Sequence, residues 1–203
     1  PWDIETDASG NVYVTGRSVG AGTDFDYVTI KYDSVGNEKW ARRYNGTGNS
    51  ADEAYSVAVD GFGNVYTTGT SIGAGTGLDF ATVKYNSSGS EVWVRRYNSS
   101  GDMDEYGTTL GVDGSGNVYI TGATWKFGSV PADYLTIKYD SLGNEKWVRR
   151  YNGPQDDVPE EIAVDRFGNS YVTGYSLVST AVRTDYLTVK YDSLGNQKWT
   201  RTY

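Results

Sequence analysis

Cysteine and histidine are both absent from the 203 residues, and methionine occurs once. Without a thiol there is no disulfide, no thiolate nucleophile and no cysteine-held metal. Without an imidazole there is no Ser–His or Cys–His pair and no histidine acid–base chemistry. No apolar run approaches the ~18 residues of a membrane helix, so no membrane span is expected. Lys and Arg number 18 against 26 Asp and Glu, a formal charge of −8. That balance opposes a phosphate-backbone partner, because affinity there rests on clustered cations. The pairs Arg42-Arg43, Arg95-Arg96 and Arg149-Arg150 lie far apart in the chain, and no nucleic acid is expected. The lack of cysteine is neutral on compartment. The chain begins at Pro1 rather than Met, as a mature or trimmed fragment would.

What is abundant is β-forming and turn-forming: 26 Gly and 18 Tyr, with many Val, Thr and Ser. An aromatic share of 14 % supplies surface worth burying, which argues against disorder. The run Gly10-Asn11-Val12-Tyr13-Val14-Thr15-Gly16 returns at Gly63–Gly69, Gly116–Gly122 and Gly168–Gly174, at intervals of 53, 53 and 52 residues. Trp40, Trp93, Trp147 and Trp199 keep the same phase. Two landmarks in phase mean four copies of one unit. In the second copy, Ala54–Val59, Asn64–Thr70, Phe80–Tyr85 and Glu91–Tyr97 read as four short strands bounded by turn residues.

Two turns recur. An Asp-x-x-Gly-Asn run joins the first and second strands, starting at Asp7, Asp60, Asp113 and Asp165. A second such run joins the third and fourth, starting at Asp33, Asp140 and Asp192 and relaxed to Asn86 in the second copy. Each Asp can close an Asx turn and each Gly supplies positive φ. The alternating carboxylates of a Ca²⁺ loop are missing, so a structural role is favoured.

Four-stranded antiparallel units repeating at about 50 residues are the mark of a β-propeller, in which each sheet buries its faces against its neighbours. The expected fold is all-β, a single β-propeller domain over 1–203, with blades 1–46, 47–99, 100–153 and 154–203. The stretches SVAVDGFGNVYTTG and TVKYNSSGSEVWVRRYN resemble the bacterial secreted β-propeller repeat, the seven-bladed β-propeller repeat family. IAVDRFGNSYVTG also resembles NHL-type repeats, and YDSLGNEKW resembles quinoprotein-like propeller repeats. The first resemblance implies a bacterial extracellular or cell-surface module, although this chain carries four units rather than seven. Three closures are open: a compact four-blade ring, a half-ring completed by a homodimer, or part of a larger chain. The compact ring is favoured because unpaired blade faces would expose large apolar patches.

Propeller connectivity puts the varied second-to-third loops and the blade connections on one face, where binding usually lies. Trp125 and Phe127 lie in the third unit's divergent loop and, with Tyr106 and Tyr175, are the candidate ligand-binding residues. The ligand class expected is a glycan or a protein. The acidic connections offer Asp102, Asp104, Glu105, Asp156 and Asp157 as metal candidates, with no cofactor or Ca²⁺ as the two options. A solvated acidic rim is the plainer reading of those residues. Asp26, Asp79, Asp133 and Asp185 are expected to pair with Arg42, Arg95, Arg149 and Arg201 in each blade. A repeated sugar pocket using the four in-phase tryptophans is the functional alternative. The favoured function is a non-catalytic binding or structural module. The alternative is a carboxylate-dependent polysaccharide hydrolase or lyase using Glu105, Glu160 or Asp157.

Overall fold

Alternating apolar residues between Gly-Asn turns fold as antiparallel hairpins. The computed structural model describes residues 1–99, 103–126, 130–153, 156–179 and 183–203, and every regular element among them is a β-strand. The strands form four sheets of four, each in simple meander order. The first sheet contains β1 (Asp3–Thr6), β2 (Val12–Val19), β3 (Phe25–Tyr32) and β4 (Glu38–Tyr44). The second contains β5 (Asp52–Val59), β6 (Val65–Gly73), β7 (Gly77–Tyr85) and β8 (Glu91–Tyr97). The third contains β9 (Asp104–Val112), β10 (Val118–Lys126), β11 (Val130–Tyr139) and β12 (Glu145–Tyr151). The fourth contains β13 (Asp157–Val164), β14 (Ser170–Ser179), β15 (Arg183–Tyr191) and β16 (Gln197–Thr202). These are the four blades of the repeat. They fall into two compact units, Pro1–Asp102 and Met103–Tyr203, with two blades in each. Among the described residues no helix is long and apolar enough to cross a membrane.

The strands match the expected ones, with one systematic difference. β6 and β7 run on into the Gly-rich segment, pairing Ser71 with Asp79, Ile72 with Leu78 and Gly73 with Gly77. Gly75, at φ +85°, lets that hairpin turn tightly at its tip.

The turn aspartates act as expected. Asp165 accepts backbone N–H bonds from Phe167 and Asn169, both at 2.9 Å, while its other oxygen accepts from Asn169 Nδ2 at 2.7 Å and Tyr171 Oη at 3.1 Å. Asp7, Asp60 and Asp113 repeat the whole set. The tyrosine of each second strand is thereby fixed to its own hairpin.

Within each unit the two blades stack face to face, and the contact is the same in both. In the first, Tyr13, Tyr27 and Trp40 of one blade pack on Ala81, Val83 and Tyr85 of the next. In the second, Tyr119, Tyr134 and Trp147 pack on Leu187, Val189 and Tyr191. Polar bonds fix the register. Trp40 Nε1 donates to Ser87 O at 3.3 Å, Arg42 Nε to Gly89 O at 2.6 Å, and Tyr27 Oη to Ala81 O at 3.1 Å. The second unit uses Trp147 to Ser193, Arg149 to Gly195 and Tyr134 to Leu187, at 3.2, 2.5 and 3.3 Å. The indole lies on a glycine with positive φ. A Cβ on Gly89 would stand 2.7 Å from Trp40, and one on Gly195 the same distance from Trp147. The in-phase tryptophans Trp40 and Trp147 are therefore covered by turns and do not present rings to a sugar.

The expected ion pair shifts by one residue. Arg43, Arg96 and Arg150, rather than Arg42, Arg95 and Arg149, reach Asp26, Asp79 and Asp133, at 3.5, 2.6 and 3.7 Å. Alternation on β4, β8 and β12 decides this, because residues one apart point to opposite faces. Arg42 and Arg149 instead face the neighbouring blade. In the fourth blade the pairing position is Thr202, so Asp185 lacks that arginine.

Two outcomes follow from this architecture. Trp40→Ala should lower unfolding free energy in urea by about 3–5 kcal/mol. Gly89→Ala, which combines positive φ with the indole clash, should cost clearly more than Gly22→Ala, where φ is +86° but nothing lies within 4 Å; the latter should cost about 1–2 kcal/mol. The side-chain amide of the following Asn holds Asp33, Asp140 and Asp192 below the usual carboxylate range, and Asp165 at about 2. A depressed folded pKa contributes stability that is complete above the unfolded value and lost on acidification through the folded one. The melting temperature should therefore fall mainly between pH 3.8 and about 2, and Asp165→Asn should flatten that fall.

Candidate functional site

The two units are built alike, so a difference between them marks where one has been modified. In the first, Arg17 on β2 forms an ion pair with Glu53 on β5. Its guanidinium also lies 4.3 Å from the centre of the Phe25 ring and 5.9 Å from that of Trp2. The ion pair bridges the first sheet to the second at the surface and, with Phe25, forms a partly exposed plug there. Counted from the shared glycines and aspartates, the equivalents in the second unit are Ala123 for Arg17, Val158 for Glu53 and Ala132 for Phe25. The plug has been replaced by small and apolar side chains.

A groove of ≈ 630 Å³ opens there. Ala123, Ala132 and Val158 line it, together with Tyr106 from β9, Trp125 from β10 and Tyr175 from β14. Asp156 and Thr184 add polar groups to the lining. Asp156 is held in place by accepting a 2.7 Å bond from the Ala132 backbone N–H. Tyr106 is 37 % exposed and Trp125 and Tyr175 are half-buried, so each ring keeps surface available to a ligand. Burial, and then the nearby Asp104 carboxylate, raises the Tyr106 phenol pKa, so it stays a neutral hydrogen-bonding group. A smaller recess of ≈ 270 Å³ beside Tyr175 and Thr184 is lined by Glu160, Asp185 and Tyr186.

Three of the four predicted ligand-binding residues thus meet in one groove, and Phe127 lies outside the described residues. Trp125 is not in a loop as expected: it is in β10, opposite Asp104 in the ladder. The hairpin continues past the point where turn residues were read, as it does in the second blade. Sequence reasoning missed Ala123, Ala132 and Val158. The signal was available, because Ala132 stands where other blades carry Phe25, Leu78 and Thr184.

Among the described residues no group of three or more carboxylates is arranged to hold a metal ion, and Asp102 lies outside those residues. Asp104 is half-buried on β9, and Glu105 is fully buried beside it. Asp157 is also fully buried, and it accepts a 2.7 Å bond from the N–H of Gly153 in the blade connection. Asp52 does the same for Gly46 at 2.6 Å in the first unit. Burial raises the pKa of both Asp52 and Asp157. A carboxylate raised by burial and bonded to the blade connection at the same position of both units is a clasp of the repeat. Glu160 is exposed at the bulge of β13, where β5 has Tyr55 and β9 has Thr108. Asp52→Ala and Asp157→Ala should each remove about 1–3 kcal/mol by orphaning a backbone N–H. Matched losses in chemical denaturation would establish the shared clasp.

The Beta-propeller repeat model matches residues 39–75, 92–126 and 146–179. No curated protein matches the sequence. Among solved structures, the chain is similar to a polysaccharide lyase, an ulvan lyase bound to -[GlcA(1-4)Rha3S]-. The identity is 12 % and the TM-score 0.61, over 98 % of this chain and 54 % of the lyase, so the chain spans about half the lyase's length. It is also similar to an endo-arabinase from Bacteroides thetaiotaomicron, at 12 % identity and a TM-score of 0.53 over 98 % of this chain and 78 % of that one. At such identities the likeness is one of fold.

Proposed function

The chain belongs to the Beta-propeller repeat family, and on that premise we propose that it is a non-catalytic, extracellular carbohydrate-binding module. The observation that carries this reading is the groove in which Tyr106, Trp125 and Tyr175 meet at the site of a missing ion pair. Aromatic faces offer apolar area to the C–H faces of sugars, and Asp156 and Thr184 offer acceptors and a donor for hydroxyls. Rigid aromatics bind with little loss of rotamer entropy. The catalytic alternative needs an acid and a base facing this groove. Among the described lining residues Asp156 is the single carboxylate, held by the Ala132 N–H, while Glu105 and Asp157 are buried in β-strands and Glu160 belongs to the neighbouring recess.

The test is a glycan array followed by titration of the best binder. Trp125→Ala and Tyr175→Ala should each weaken binding at least tenfold, or about 1.4 kcal/mol. Ala123→Arg combined with Val158→Glu should rebuild the plug and abolish binding while leaving the fold intact. Binding that survives the rebuilt plug refutes the groove. New reducing ends or unsaturated products from the bound polysaccharide refute the non-catalytic reading.

A further inference from the structure

Asparagine stands immediately before glycine at two places in the chain, Asn45-Gly46 and Asn152-Gly153. They are the same place in the repeat, because each opens the connection between the two blades of its unit. Packing imposes the glycine. A Cβ on Gly46 would stand 2.7 Å from Asp52 Oδ1, and one on Gly153 would lie closer still to Asp157 Oδ2. Both asparagines are exposed.

An Asn-Gly pair is chemically weak, because no side chain hinders the glycine nitrogen or restrains its rotation. Once that nitrogen gives up its proton, it can bond to the asparagine Cγ. The side-chain nitrogen leaves as ammonia, and a cyclic imide, a succinimide, closes. Water opens the ring at either carbonyl and gives aspartate or isoaspartate. The balance is amide plus water to carboxylic acid plus ammonia, with no other reactant. Two things are required: the glycine N–H must ionise, and its peptide plane must turn toward Cγ.

The fold opposes both with one bond. Gly46 N–H donates to Asp52 at 2.6 Å, and Gly153 N–H donates to Asp157 at 2.7 Å. Both carboxylates are fully buried. A negative charge against the N–H disfavours the amide anion, and the bond anchors the peptide plane. A carboxylate is far too weak a base to remove the amide proton outright. In the first unit the guard is itself braced: Asp52 Oδ1 accepts from Ser71 Oγ, which accepts from Arg96. The asparagine is tied as well, with Asn45 Nδ2 donating to Asn49 Oδ1 at 2.8 Å.

We propose that Asn45 and Asn152 are sites of self-modification through a succinimide, and that Asp52 and Asp157 hold each site closed in the folded chain. The guard acts through a single N–H, so each carboxylate protects its own asparagine. The modification is one-way. Isoaspartate inserts a methylene into the main chain beside the clasp, so the N–H no longer meets its carboxylate. The inference is independent of the carbohydrate reading.

The test ages the full chain at mildly alkaline pH and body temperature. Asn45 and Asn152 are followed separately by peptide mapping that resolves asparagine, aspartate and isoaspartate. Each should convert at least about tenfold more slowly in folded wild type than in the urea-unfolded chain. Asp52→Ala should speed Asn45 and leave Asn152 at the wild-type rate, and Asp157→Ala should do the reverse. Asp52→Asn and Asp157→Asn keep the shape, lose the charge and should show the same pattern; they stand in for an alanine variant that fails to fold. Gly22→Ala, in the first unit but away from the connection, should leave Asn45 unchanged. Equal rates in folded and unfolded wild type overturn the proposal, as do aspartate variants that bring no acceleration or slow the reaction. Acceleration of both asparagines by one variant, or by Gly22→Ala as much as by Asp52→Ala, overturns it too.

Discussion

The molecule depends on an indole laid over a glycine. A four-stranded sheet with apolar residues on both faces cannot stand alone in water, so each blade must be covered by another. The Trp–Gly contact makes that covering specific. Trp40 reaches only a turn with no Cβ, and its N–H and the adjacent Arg42 bond carbonyls within that turn. Hydrophobic area alone would let two sheets slide. The two donors and the glycine slot fix one register, and the same three elements recur at Trp147, Arg149 and Gly195.

That fixed frame is what makes the groove informative. The first unit fills its inter-sheet edge with Arg17, Glu53 and Phe25; the second has Ala123, Val158 and Ala132 at the same places. Strand positions are conserved in both, so the backbone need not move for the space to appear. The recess is made by subtraction, and Tyr106, Trp125 and Tyr175 then line what was removed. Neighbouring carboxylates with raised pKa belong to the repeat and occur in both units.

The fold was legible because its signals are local. Gly-Asn spacing, Asx turns and period-two alternation act over a few residues, and the phase of the tryptophans supplies the long-range repeat. The site was half legible. Tyr106, Trp125 and Tyr175 stand out as aromatics near variable segments. The residues that open the groove are alanines and a valine, and they are conspicuous only against the blade they depart from. The arginine pairing was misjudged by one position because Arg42 and Arg43 are the same residue type on opposite sheet faces. The length of the hairpins was underestimated because glycine and serine read as turn while their backbones continued to pair.

The carboxylate-closed hairpin turns bear on how the chain reaches this state. Asp7 holds Ser9, Asn11 and Tyr13, and its counterparts hold theirs, all within six positions along the chain. Closing so short a loop loses little chain entropy, so each hairpin can form before any neighbour is present. Contacts between the blades of a unit then join segments about 50 positions apart, such as Tyr27 with Ala81. Assembly can therefore proceed by addition of one preformed meander to the last, in the manner of a zipper, with the order of events set by adjacency rather than by a single central nucleus.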